Sequence, residues 1–269
     1  MGHYLGKALR PPGSTPRPRR PLRQVARVLA LLLSVAVLVH LPWAGLRRTF
    51  GVVTEVEVEG TRYLDAARVV EVAGIHPGDD LFAVSLSRAR QALLLEPRVA
   101  RARLSRRLPR GIRVEVEERV PVLLVSHGVP WELDAGGVLL APLEHGVVAD
   151  VPLLVGGSFE RLPAGAHVVS PEVRRGLAWV RTLAERELQL CGEVSEVDVS
   201  DLHSTGLTLV TGTRVLAPAW PPSVRRLSAL RVVLADLKQR GTTADELDLR
   251  FENQVIVRPA ARSEDAHSG

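Results

Sequence analysis

A single cysteine, Cys191, is found in a chain of 269 residues. No intramolecular disulfide can form, and CxxC pairs or cysteine-rich zinc sites are excluded. An oxidising compartment permits disulfides without requiring them, so this scarcity is silent on location. A free cysteine is most at home in a core, and Cys191 is expected to be a small buried apolar residue. Aromatic residues are sparse at 4%, and the four tryptophans lack the interleaved Lys and Arg of a single-strand nucleic-acid binder. Catalytic patterns are missing as well. The eight histidines are scattered with no HxxxH or HExxH pair, and there is no GxSxG elbow, GxGxxG turn or Walker lysine loop. An enzyme needs groups that converge, so no catalytic, metal or cofactor-binding residue is expected, and no small-molecule substrate. The nearest approach to a metal cluster is Asp198, Asp201 and His203. It reads as turn chemistry, because Asp and Ser hydrogen-bond their own backbone.

Acidic residues are absent ahead of Thr49, where nine Lys and Arg fall between Lys7 and Arg48. The formal net charge is +5, so residues 49–269 carry −4. Phosphate binding needs basic residues gathered on a folded face, and a nucleic-acid partner is therefore not expected. Residues 1–27, with Pro11, Pro12, Pro16, Pro18 and Pro21 among the arginines, show no apolar period and read as a disordered basic arm. Val28–Leu46 then supplies 19 residues without a formal charge. As a helix that length spans roughly 28 Å, close to the hydrocarbon thickness of a bilayer. Trp43 stands where an interfacial anchor would. Seven basic residues precede the run and only Arg47 and Arg48 follow closely, which places the N-terminus in the cytoplasm and the bulk outside it. A cleaved signal peptide is the rival reading. It requires small residues at −3 and −1, whereas Ser34-Val35-Ala36 falls inside the run and Pro42-Trp43-Ala44 puts proline at −3.

Past the anchor, Val53–Glu59 alternates apolar and polar residues, the period of a half-buried strand, and Gly60 ends it. Ala66, Val69, Val70 and Ala73 lie on one helical face between an N-cap at Asp65 and a closing Gly74. After a turn at 76–80 comes a short helix, Ser87–Leu95, stopped by Pro97. Two strands, Val99–Leu104 and Ile112–Glu117, flank a turn at Pro109-Arg110-Gly111. The carboxylates of Glu55–Glu59 and Glu115–Glu118 alternate with valine and mark solvated strand faces. The order β-α-α-β-β makes a compact α+β unit over about 52–120, with helices on one face of three strands. Its turn Gly74-Ile75…Gly78-Asp79…Leu81-Phe82, the run Glu96-Pro97-Arg98-Val99-Ala100-Arg101-Ala102 and the stretch from Arg106-Arg107-Leu108-Pro109 to Glu118-Arg119-Val120-Pro121-Val122 together resemble a POTRA domain of the FtsQ type.

A second, β-rich α+β region is expected over 121–258. Its strands lie at Val122–Val125, at a Trp131–Leu139 hairpin turning on Asp-Ala-Gly-Gly, at Pro152–Gly157, Glu193–Val199 and Leu207–Thr211. Helices are expected over Glu172–Leu190 and Pro222–Gln239, with closing strands Leu247–Phe251 and Gln254–Val257 and a flexible tail at 259–269. PLLVGG, GLTLVTG and DLRFENQVIVRP in that order are similar to the FtsQ/DivIB family of bacterial division proteins. The stretch Val215–Pro222 departs from the family pattern and reads as a loop, whose conformation is left open. The resemblance implies a non-enzymatic division scaffold of the inner membrane, at the septum, that helps control septal peptidoglycan synthesis. It implies FtsB/FtsL-like bitopic partners docked on Leu249, Arg250, Phe251, Glu252, Asn253, Gln254, Val255, Ile256 and Val257. More weakly, it implies recruitment to the division site through Leu93, Glu96, Arg98 and Val99. A POTRA-bearing protein of outer-membrane insertion or secretion is the alternative, although such proteins usually carry repeated POTRA units and a C-terminal barrel.

Overall fold

The computed structural model describes residues 21–40, 51–143, 147–157, 162–252 and 254–260. The chain divides into two units, Met1–Gly51 and Val52–Gly269. In the first, helix α1 runs Pro21–His40, so the helix starts seven residues before the charge-free run and takes in Arg27. Its apolar side chains from Val28 to Val37, and Val39, are exposed. No helix among the described residues is long and apolar enough to cross a membrane. The remainder of the 28–46 segment, residues 41–46, lies outside the described residues, as do residues 1–20 of the arm and 261–269 of the tail.

The second unit opens with β1 (Glu55–Glu59), α2 (Ala66–Ala73), α3 (Leu86–Leu94), β2 (Val99–Arg107) and β3 (Gly111–Glu118). Strand order is β1-β3-β2, with β1 parallel and β2 antiparallel to β3. The Asp65 carboxylate caps α2 by accepting the Ala67 N–H at 3.3 Å, and Gly74 closes it at φ 63°, a left-handed conformation glycine adopts without penalty. Ser85 caps α3. On β3 the alternation is complete: Ile112, Val114 and Val116 are buried against Val69, Ile75, Leu81 and Leu93. The opposite face pairs charge with charge. Arg113 lies 3.2 Å from Glu57 and 3.4 Å from Glu59, and Arg107 also bonds Glu57, holding that carboxyl below its usual range.

From Pro121 the chain builds a nine-stranded sheet: β4 (Pro121–His127), β5 (Val129–Asp134), β6 (Leu139–Leu140), β7 (Leu153–Val155), β8 (Val194–Asp198), β9 (Ser204–Leu209), β10 (Arg214–Pro218), β11 (Ala244–Asp248) and β12 (Ile256–Pro259). Their order is β12-β11-β10-β9-β8-β7-β4-β5-β6. Two helices, α4 (Pro171–Leu183) and α5 (Val224–Arg240), complete the core. Trp179, Val180 and Leu183 from α4 join Leu227 and Leu230 from α5 among the buried strand residues. Gly156, at φ 84° after β7, is required because a Cβ there would strike the Ser200 backbone. Cys191 is half-buried, and burial pushes its thiol pKa up.

Three expectations need correction. The helix foreseen to Leu190 ends at Leu183, because Leu188 and Leu190 turn into the core and Gln189 takes φ 49°. Val215–Pro222 is half strand: β10 pairs antiparallel to β9 and parallel to β11, burying Val215 and Ala217. The final strands lie at Ala244–Asp248 and Ile256–Pro259, so residues 249–252, 254 and 255 are part of neither.

The POTRA-like part and the large sheet meet through ion pairs. Arg98, in the turn before β2, donates to Glu132 of β5 at 2.9 Å and also to the Ala141 carbonyl, with both charged side chains buried. Arg119 bonds Asp134 at 2.7 Å and the Pro97 carbonyl at 3.1 Å. Removing one partner leaves the other charge buried and uncompensated. Glu132→Ala is therefore expected to cost about 3–5 kcal/mol in urea unfolding, with Arg98→Met plus Glu132→Leu losing less than the sum of the single variants. Additive losses would show that the two side chains do not act as a pair.

Candidate partner-docking site

β11 is fixed on one side by β10, where Val215 faces Leu247 and Leu216 faces Asp248, with Ala244 and Leu247 buried. On its other side β12 runs antiparallel, Leu247 opposite Val257 and Asp248 opposite Ile256. Arg258 reaches Glu246 across the ladder at 3.5 Å. β12 ends the sheet, and among the described residues nothing pairs with its outer side. Successive strand residues face opposite ways, yet Ile256 is 45% and Val257 38% exposed. The strand therefore extends past the core on both faces, offering β-branched side chains beside a row of unpaired backbone donors and acceptors.

What halts β11 is local. The Asp248 carboxylate accepts the Arg250 N–H at 2.9 Å and clasps its guanidinium at 3.0 and 2.7 Å. These side-chain hydrogen bonds hold the Asp248 carboxyl below its ordinary value. Leu249 is buried. Its N–H donates to the Leu216 carbonyl at 2.7 Å, and its own carbonyl accepts from Arg226 of α5, also at 2.7 Å. The backbone thus leaves the ladder at Leu249. Phe251, 46% exposed, Glu252 and Gln254 stand in solvent, while half-buried Val255 packs back on the core. Asn253 lies outside the described residues. Between this connection and α5 runs a groove of about 780 Å³ lined by Arg225, Arg226, Ala229, Val232 and Phe251.

The second set of residues is placed otherwise. Leu93 and Val99 are each 1% exposed, inside the POTRA core, and Arg98 is turned inward to Glu132. Glu96 alone keeps some surface, and its carbonyl accepts from Val99 N–H. The exposed apolar residues here are Leu94 and Leu95, at 40% and 83%. Their signal lay in helical phase: Ala89 and Leu93 form the buried stripe of α3, and the next two leucines fall off it.

The carboxylates of Asp198 and Asp201 serve turns. Asp198 accepts from the Ser200 N–H and hydroxyl, and Asp201 from the His203 N–H and Ser204 hydroxyl, which lowers the Asp201 pKa. No group of three His, Cys, Asp or Glu among the described residues could hold a metal ion.

Comparison with known proteins decides the family. The profile of the POTRA domain, FtsQ-type, matches residues 52–119. The cell division protein FtsQ of Rhodothermus marinus is 30% identical over 89% of this chain and 88% of its own length. The chain belongs to the FtsQ family. FtsQ of Geotalea daltonii is 28% identical across 78% of the chain and 76% of the relative, and FtsQ of an Anaeromyxobacter species 28% identical across 91% and 86%. These FtsQ relatives support a role in cell division, and the edge described above belongs to a chain of that family.

Because the folded state holds Asp248 below its ordinary value of 3.8, the clamp stabilises the fold above that value. Its contribution is lost as pH falls through the lower folded value. The Arg250 Nε–H NMR signal is accordingly expected to keep its position down to about pH 4 and to shift only in stronger acid. In Asp248→Asn the signal should already resemble free arginine at neutral pH. The same acid step in that variant would refute the assignment.

Proposed function

We propose that this chain is a non-enzymatic scaffold of the division machinery that captures a bitopic partner of the FtsB/FtsL kind by adding a partner strand to β12. Such capture would link early and late division proteins and help control septal peptidoglycan synthesis. The observation that carries the reading is the open outer side of β12, with Ile256 and Val257 exposed beside it. Main-chain hydrogen bonds along such an edge supply affinity, and alternate side chains supply specificity. Phe251 and the groove along α5 adjoin the edge and suit the apolar anchors of a docked segment.

The chain is read as anchored in the inner membrane by the 28–46 segment, N-terminus in the cytoplasm and residues 52–260 outside. What supports this is the charge-free run of 19 residues with the basic arm ahead of it, of which α1 covers the part to His40. The docking residues would then lie on the same side of the membrane as the extracytoplasmic parts of bitopic partners.

Co-purification with a co-expressed FtsB-like partner tests the edge. Successive N–H groups of a strand point to opposite sides, so one of Ile256→Pro and Val257→Pro removes an outward donor and the other an inward one. The outward variant is expected to weaken capture roughly tenfold or more without lowering the unfolding midpoint, and Phe251→Asp to weaken it similarly. Full capture by both proline variants would rule out strand addition. Fluorescent fusions should form a midcell band during constriction, and uniform envelope staining would refute the division reading.

A further inference from the structure

Two loops of the POTRA region flank the point where the chain arriving from α1 joins the second unit. Val53 N–H donates to the Asp79 carbonyl at 2.9 Å, and the Gly78 N–H returns to the Val53 carbonyl at 2.8 Å. Thr54 N–H donates to the Arg110 carbonyl at 2.9 Å. Residues 78–84 and the β2–β3 turn therefore share one end of the domain. Arg106 stitches them together, its Nε donating to the Leu81 carbonyl at 2.7 Å and its Nη2 to the Val84 carbonyl at 2.9 Å. Each loop turns a large apolar side chain out to solvent: Phe82 is 55% and Leu108 67% exposed. Neither joins the POTRA core, although its other large apolar residues in these loops, such as Leu81, do.

We propose that this end, with Phe82 and Leu108 as its tips, rests in the headgroup layer of a phospholipid bilayer. The inference depends on the reading that residues 28–46 cross the membrane. Under that reading five residues, 47–51, separate the end of the run from Val52, and even fully extended they reach only about 18 Å. A lipid surface is then the occupant nearest to these two side chains. The charge at this end decides the mode of contact. Arg106, Arg107, Arg110 and Arg113 are matched by Glu55, Glu57, Asp79 and Asp80. Of these, Glu57 pairs with Arg107 and Arg113, Asp79 accepts from His76 N–H, and Asp80 from Phe82 and Ala83 N–H. The formal sum over these residues of the folded end is zero, so their own attraction to anionic lipid is not the driving force, although Arg47 and Arg48 add two positive charges in the linker. An aromatic ring and a leucine entering the interface drive contact.

The full chain in nanodiscs provides the test. In a Cys191→Ala background, single substitutions Phe82→Cys, Leu108→Cys and, as a control on α5, Val232→Cys carry an NBD fluorophore. Phosphatidylcholine bearing a nitroxide near its headgroup serves as quencher. Quenching at positions 82 and 108 is expected to exceed that at 232 roughly twofold or more, and to be the same with or without phosphatidylglycerol. Equal quenching at all three positions in protein that co-purifies with the nanodiscs would overturn the lipid contact and leave the anchor standing. Quenching seen only with phosphatidylglycerol would overturn the apolar mode. Failure of the chain to enter nanodiscs at all would overturn the anchor and this inference together.

Discussion

The buried pair of Arg98 and Glu132 is the constraint on which the rest of the arrangement depends. POTRA-like folds and β-rich regions can stand side by side on a flexible joint, but here only a short turn after β3 connects them, and charge closes the seam. Arg98 leaves its own domain to meet Glu132 and the Ala141 carbonyl, while Arg119 bridges Asp134 and the Pro97 carbonyl. Two guanidinium groups reach across in the same place, with Asp134 itself held by the Gly136 and Val138 N–H groups. A charge withdrawn from water needs its partner in one geometry, so the pairs favour one relative placement of the two parts over others. An edge strand at the far end of the sheet is useful to a partner only if it is presented in a fixed place.

That edge uses some of the usual restraints on a terminal strand and not others. Edges are commonly blunted with lysine, a bulge or a covering helix. Here the outer residues include Ile256 and Val257, and the bulge lies back between Ala244 and Glu246, on the β11 side of the ladder. Restraint comes instead from length: β12 has four residues and ends in Pro259, which has no N–H to offer. A short apolar edge that stops on a proline discourages unlimited stacking of copies while leaving room for one specific strand.

Much of this was legible in the sequence wherever a period or a cap was strong. Asp65 and Gly74 bound α2 as expected, and β1 and β3 fell where alternation put them. Strand β10 escaped because Pro218, Pro221 and Pro222 read as loop, whereas the structure places Pro218 at the strand's last position and leaves the other two beyond it. The closing strands slipped because their hydrophobic pattern continues through Leu249 and Phe251. The Asp248–Arg250 clasp and the Arg226 contact that pull the backbone aside are specific geometries, not periodic ones. Leu93 and Val99 rest on the resemblance alone and both are core, although helical phase already sets Leu93 with Ala89 on the buried stripe of α3. The Arg98–Glu132 pair, 34 residues apart in the chain, leaves no trace in any local pattern.

The link from β10 through α5 to β11 has a consequence in time as well as in space. β11 lies parallel to β10, so the chain must complete the whole of α5 before β11 can pair, and β12 in turn has only β11 to lean on. Every other strand of the sheet precedes these two in the chain. The open edge is thus assembled after the scaffold that supports it. A chain that stops short of α5 holds the residues of the POTRA region and of seven strands of the sheet, but not those of its open edge. Completion of this edge therefore marks the end of the sheet's assembly.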